Sequence, residues 1–136
     1  MTNAEFNEYV NDRIRKYVIR AIKFVEALPF NTVTKVLGDQ FLRASTSTGA
    51  NHRAFCRGRS LNEKFSKICI VVEEIDEALY WTDVFNQSKF GDKEELKWLL
   101  DEGNEILSIT SGVKNGIFKA KNGRLQSLLL IGSLAH

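Results

Sequence analysis

Apolar side chains recur every three or four residues along most of this chain, the spacing of one face of an α-helix rather than the alternation of a strand. The first stripe runs Phe6, Val10, Ile14, Tyr17, Ala21, Phe24 and Leu28, widened by Val18 and Val25. Pro29 ends it, because the residue before a proline is pushed out of the helical region. Asn31 has the chemistry of an N-cap for a second stripe, Val33, Leu37, Phe41, Ala44, Thr48, Asn51 and Phe55, which stops near Gly58. Ser60 and Glu63 are spaced as a capping box and open a third, Leu61, Phe65, Ile68, Val72, Ile75 and Leu79. Asp92, with Glu95 three residues on, opens a fourth through Leu96, Leu99, Gly103, Ile106, Thr110 and Val113. Segments of roughly 25 residues extend about 37 Å. Connections as short as those between them set successive helices antiparallel. The pattern therefore predicts an all-α, antiparallel up-down-up-down four-helix bundle over residues 1–118, with no internal repeat and no second domain.

Residues 119–136 read differently. Lys119, Lys121 and Arg124 surround Asn122-Gly123, and the chain turns apolar from Leu125 to Ala135. A docking strip, a short extra helix and an unstructured end all fit this basic-then-apolar tail.

Three features break the simple pattern. The centre of the second segment, Ser45-Thr46-Ser47-Thr48-Gly49-Ala50-Asn51, is made of weak helix formers. Tertiary packing must hold it, and its small side chains let backbones approach. Asn51 falls on the apolar stripe, where a polar residue sets register or assembly at a cost in stability. Glu74, Asp76, Glu77 or an arginine of the second segment are its candidate partners. The third segment is apolar nearly all round from Ile68 to Val72 and continues through Tyr80 and Trp81. A helix with one buried face has no need of this. Either the two rings pack inside the subunit or they form a subunit interface, where Tyr and Trp are common anchors.

Charge changes the picture more by its distribution than by its total, which is +2. Ten Lys/Arg face five Asp/Glu through residue 60, five face twelve in 61–113, and the last 23 residues carry four cations and no acid. A basic first half and an acidic second half either attract one another as neighbouring helices or leave one outer face cationic enough for phosphates. Arg13, Lys16, Arg20 and Lys23 recur along one edge of the first helix, and Arg53 and Arg57 form an i, i+4 pair on the second. Arginine suits planar contacts to phosphate. These six are the candidate nucleic-acid-binding residues.

The chemistry of catalysis is missing. The histidines are His52 and His136, and neither belongs to a Glu-x-x-His pair or to His-Glu-x-x-His. There is no glycine-rich phosphate loop, and Cys56 and Cys69 have no metal-ligand or redox spacing. His52 and Cys56 are four apart on one helix, but the sequence supplies no orienting third group. We expect no enzyme, no metal and no cofactor. The polar N-terminus does not read as a signal peptide, and no apolar run approaches a membrane span. The cysteines then read as reduced thiols of a cytoplasmic protein.

Three segments carry a resemblance: Ser45–Ala54, Cys56-Arg57-Gly58-Arg59-Ser60, and Ile70–Trp81 with its Glu73-Glu74-Ile75-Asp76-Glu77 core. Together they resemble the signature region of the bacterial four-helix-bundle family named after 23S ribosomal RNA intervening sequences, over about residues 5–118. The resemblance implies a four-helix subunit assembling as a homopentamer, with no established enzymatic activity. A related group, the accessory variability determinants of diversity-generating retroelements, works beside a reverse transcriptase through nucleic-acid and protein contacts. It also implies that Asn51, Arg53, Arg57, Glu74 and Glu77 form a shared polar constellation. This chain departs from the pattern at His52, where an aromatic such as Tyr is usual, at Gly58, where Ala is frequent, and at Lys64-Phe65. Two functions are expected to compete: a non-catalytic, oligomeric protein that binds RNA or DNA, and a protein-interaction scaffold or adaptor, for a reverse transcriptase among others, that touches no nucleic acid.

Overall fold

A computed structural model describes the backbone of residues 1–134 and the side chains of residues 1–124. It contains four helices, α1 (Asn3–Glu26), α2 (Thr32–Cys56), α3 (Leu61–Gln87) and α4 (Lys93–Leu134), and no strand among the described residues. Side chains place each start. Thr2 Oγ1 accepts from the Glu5 amide at 3.1 Å. At α2 the Asn31 and Thr34 side chains each accept from the other's amide, at 3.0 and 3.1 Å. Ser60 Oγ accepts from the Glu63 amide at 3.1 Å, while the Glu63 carboxylate reaches back to the Arg59 amide at 2.7 Å. Asp92 Oδ1 caps α4 through the Glu94 amide at 2.9 Å. Each such cap satisfies amides that a helix cannot bond internally.

The connections, residues 27–31, 57–60 and 88–92, are short, so consecutive helices lie antiparallel as expected. The close pairings are α1 with α2, α2 with α3, α3 with α4, and α4 with α1, so the four rods close a ring. At the centre of one end the rings of Phe24, Phe41 and Phe85, one from each of α1, α2 and α3, meet edge to face at 5.2–6.2 Å. Such pairs add about 0.5–1.5 kcal/mol each beyond their burial. Gly91 passes directly over Phe24 in the turn into α4, with φ +87°. A Cβ there would stand 2.4 Å from Phe24 Cζ, so the turn needs glycine both for its backbone and for the space. At the other end Phe55, Ile68 and Val71 form a second cluster with Phe65, Val113 and Ile117 against it.

The weak centre of α2 is held by tight packing. Ser45 and Thr48 are fully buried, and Thr48 Oγ1 donates to the Ala44 carbonyl at 2.8 Å. Gly38 and Gly49 face α1, where added Cβ atoms would lie 2.9 Å from Val25 and 3.2 Å from Val18. Phe41, Ala44, Thr48 and Phe55 of the expected α2 stripe are buried, but Thr34, Gly38 and His52 are buried where Val33, Leu37 and Asn51 were expected, Ser45 joins the seam, Val33 is half exposed and Asn51 lies at the margin. The α4 helix does not stop at Phe118. It runs on to Leu134, and Lys121 Nζ lies over the Phe65 ring, 4.4 Å from its centroid. The side chains of residues 125–136, the apolar part of the tail, lie outside the described residues, as does His136. Among the described residues no helix is long and apolar enough to cross a membrane.

Candidate nucleic-acid interface

The basic edge of α1 divides into paired and unpaired cations among the described residues. Arg13 and Arg20 point at α4. The Arg13 guanidinium hydrogen-bonds Glu102 and Glu105. Arg20 makes a bidentate pair with Glu95, both bonds at 2.8 Å, and its guanidinium carbon lies 3.6 Å from the centroid of the Trp98 ring. The register is antiparallel, since seven residues forward on α1 match seven residues back on α4. These pairs hold both guanidinium groups still further above their ordinary pKa, through the carboxylate hydrogen bonds first. Half of the basic stripe of α1 is thus neutralised by the acidic half of the chain.

Lys16 and Lys23 lie exposed beside them and make no ion pair among the described residues. Arg53 and Arg57, on the exposed side of α2, are likewise unpaired among the described residues. At 3.6 residues per turn, Arg15 lies on the α2 flank of α1, away from Arg13 and Arg20. It lines a recess with Arg53, Asn11, Thr46, Gly49 and Ala50. Sequence reasoning passed over Arg15, which sits outside the 13–16–20–23 spacing. No sequence signal marks it: its place depends on the Val18/Gly49 approach, which brings this part of α1 against the Arg53 turn of α2.

Asn51 takes its partner from its own helix. Its Nδ2 donates to the Ser47 carbonyl at 2.9 Å and lies 3.1 Å from Ser47 Oγ. This corrects the expected partnership with Glu74, Asp76, Glu77 or an arginine: Asn51 sits at the margin of α2 rather than on its seam, so the preceding turn satisfies it. Among the described residues no hydrogen bond or ion pair joins it to Glu74 or Glu77. Glu77 is exposed. Glu74 is half-buried, and its carboxyl is pushed above its usual range by burial first, then by Glu77 and Glu73, with Arg43 opposing. Tyr80 is 59% exposed, and its ring stands edge-on to Trp81 at 4.9 Å. Trp81 packs against the main core, with its indole N–H buried and without a partner among the described residues. The two rings therefore differ in role: Trp81 is mostly a core residue that supports an exposed Tyr80.

His52 is the polar residue the sequence undervalued. It is 2% exposed, and its Nδ1 lies 3.0 Å from Asn11 Oδ1. With an amide oxygen as acceptor, Nδ1 carries the hydrogen. Burial lowers the imidazole pKa to about 4. Cys56 Sγ lies 3.7 Å from the same nitrogen, and burial raises the thiol pKa, with Glu8 adding to the effect and Lys64 opposing it. Both groups are thus driven to their neutral forms. Asn11 and Cys56 also compete for one ring nitrogen, whereas an orienter and a nucleophile need opposite ones. The arrangement disfavours the thiolate–imidazolium state on which nucleophilic catalysis depends. Among the described residues no group of three or more His, Cys, Asp or Glu is placed to hold a metal.

No family model matches this chain, and no curated protein does. Among solved structures it is similar to a protein of unknown function from the S23 ribosomal protein family of Bacteroides thetaiotaomicron. The match has a TM-score of 0.72 and 22% sequence identity, and covers 80% of this chain and 97% of that one. At that identity the likeness is one of architecture: the chain shares its four-helix fold with a solved member of the S23 ribosomal protein family.

Proposed function

We propose that this protein is a non-catalytic, nucleic-acid-associated subunit of the 23S rRNA-intervening-sequence family, working as a homo-oligomer, a pentamer on the family resemblance. The observation that carries the nucleic-acid reading is the sorting of cations in the folded chain. Carboxylates of α4 take up Arg13 and Arg20, while Lys16, Lys23, Arg53 and Arg57 keep their charge unpaired among the described residues. Lysines and arginines left free in this way attract a phosphate backbone by counterion release, with little preference for base sequence. The neutral, crowded His52–Cys56 pair supports the non-catalytic part of the reading.

The test is binding of labelled single-stranded RNA and duplex DNA at low salt. Changing Lys16, Lys23, Arg53 and Arg57 together to Gln leaves the fold intact, since none holds an ion pair, and removes binding. Unchanged affinity in that variant overturns the proposal.

A second reading, a protein-interaction scaffold serving a reverse transcriptase or another protein, is favoured by one observation: Tyr80 stands exposed on a Trp81 support. Under it, Tyr80→Ala changes the mass of the assembly or loses the protein partner, and salt matters little.

A further inference from the structure

The recess between α1 and α2 has a chemistry of its own. Its floor is made by Gly49 and Ala50, and its depth exists because Gly49 has no side chain where Val18 comes within 3.2 Å of the Cβ position. Two arginines line it from different helices, Arg15 from α1 and Arg53 from α2. Like charges facing one small space raise each other's energy, and an anion between them relieves this. The rest of the lining does not supply one. Thr46 Oγ1 donates its hydrogen to the Leu42 carbonyl at 2.7 Å, and Asn11 Oδ1 is committed to His52, which leaves the Asn11 amide hydrogens as donors. No carboxylate lines the recess, and Arg15 Nη1 meets Asp12 beside it at 2.9 Å, in a pair where both side chains are more than half exposed. An exposed pair of that kind contributes only about 0.2–1 kcal/mol, and it occupies one of the five N–H donors that Arg15 carries.

Size narrows the ligand. The recess encloses about 180 Å³, the share of liquid held by about six waters. That is below the ~300 Å³ at which pockets begin to hold drug-sized molecules, but it has room for one tetrahedral anion. The larger recess at the C-terminal end of α1, about 380 Å³, has both signs in its wall: Arg20 is already bound to Glu95, and Asp92 adds a second carboxylate. It does not share this chemistry.

We propose that the Arg15–Arg53 recess binds a single phosphate group, gripped by two guanidinium forks over the Gly49 floor. The identification of that phosphate as part of a nucleic-acid backbone rests on the function proposed above, whereas the recess itself stands on its own geometry. In that case the recess holds one phosphate in a fixed position and gives an otherwise diffuse contact its register.

The experiment is an NMR titration of the full chain, following the Gly49 and Ala50 amides and the arginine Nε–H signals. The probes are inorganic phosphate, sodium chloride at matched ionic strength, and a short single-stranded RNA. Saturable shifts confined to Gly49, Ala50, Arg15 and Arg53 are expected with phosphate, shifts that include these four with RNA, and neither with chloride. Arg15→Gln and Arg53→Gln should each weaken phosphate binding about tenfold. Arg53→Lys should restore it only in part, because lysine lacks the planar fork. Equal shifts with chloride, or phosphate shifts that persist in both Gln variants, overturn the proposal. If phosphate fails while RNA still binds elsewhere, the recess is refuted and the nucleic-acid reading survives. If phosphate binds and RNA does not, the recess is supported and the nucleic-acid reading falls.

Discussion

His52 links the packing of α2 to pH. In the folded chain it is 2% exposed, and its imidazole is held at about 4 against an ordinary 6.5. In the unfolded chain it takes up a proton near 6.5. Between those two values the unfolded state binds more protons than the folded one, so stability rises with pH across this window and falls on acidification. The contribution is fully present above about pH 6.5 and is lost as the pH drops toward 4. At about 1.4 kcal/mol per pH unit, the gap corresponds to about 3 kcal/mol. That is a large part of the 5–15 kcal/mol by which a typical domain is stable, as an order of magnitude. The assay is urea unfolding followed by helical circular dichroism and by the fluorescence of Trp81 and Trp98, at a series of pH values from about 7.5 to 4.5. A variant that differs at this position alone isolates the contribution of the imidazole. The comparison is therefore with His52→Gln, which keeps an amide donor for Asn11 and cannot titrate. The wild type should lose about 2–3 kcal/mol relative to the variant over this range. Parallel curves for the two proteins would refute the reasoning, because they would mean that the imidazole reaches water without unfolding.

Two further predictions concern packing and charge. Gly91→Ala should cost about 3 kcal/mol, since it combines a positive φ with a Cβ 2.4 Å from Phe24. Gly112→Ala, where nothing lies within 4 Å of the added methyl, should instead gain about 0.5–1 kcal/mol; thermal unfolding separates the two. Glu95→Gln, which breaks the bidentate contact to Arg20 in a half-buried setting, should cost about 1 kcal/mol. That loss should shrink as salt is added, in denaturation midpoints measured at several salt concentrations.

Much of the fold was legible because its signals are strong and local. The stripes of α1 and α4 match their buried faces from Val10 to Phe24 and from Leu96 to Thr110. The caps Asn31, Ser60 and Asp92 do what their side chains suggested. The register of α2 was harder to read. Its centre is serine, threonine, glycine and alanine, so hydrophobicity hardly distinguishes one face from the next. Phe41, Ala44, Thr48 and Phe55 follow the expected stripe, but Val25 and Val18 pack over Gly38 and Gly49, and His52 rather than Asn51 is buried. The candidate interface was legible in composition but not in pairing. The opposite charges of the two halves pointed both to helix–helix attraction and to a cationic face; Arg13 and Arg20 follow the first, while Lys16, Lys23, Arg53 and Arg57 make no ion pair among the described residues. Arg15 escaped notice because its importance depends on what α2 places opposite it. The continuation of α4 past Phe118 had no sequence signal, since Asn122-Gly123 reads as a break.

The most direct test of the functional account is the affinity for a labelled single-stranded RNA, by fluorescence anisotropy, as salt rises from about 50 to 200 mM. Four free cations meeting four phosphates predict a straight line of log affinity against log salt with a slope of about −3. The quadruple Gln variant should be flat and weak. No binding at the low-salt end, or binding that salt leaves unchanged, would contradict the account.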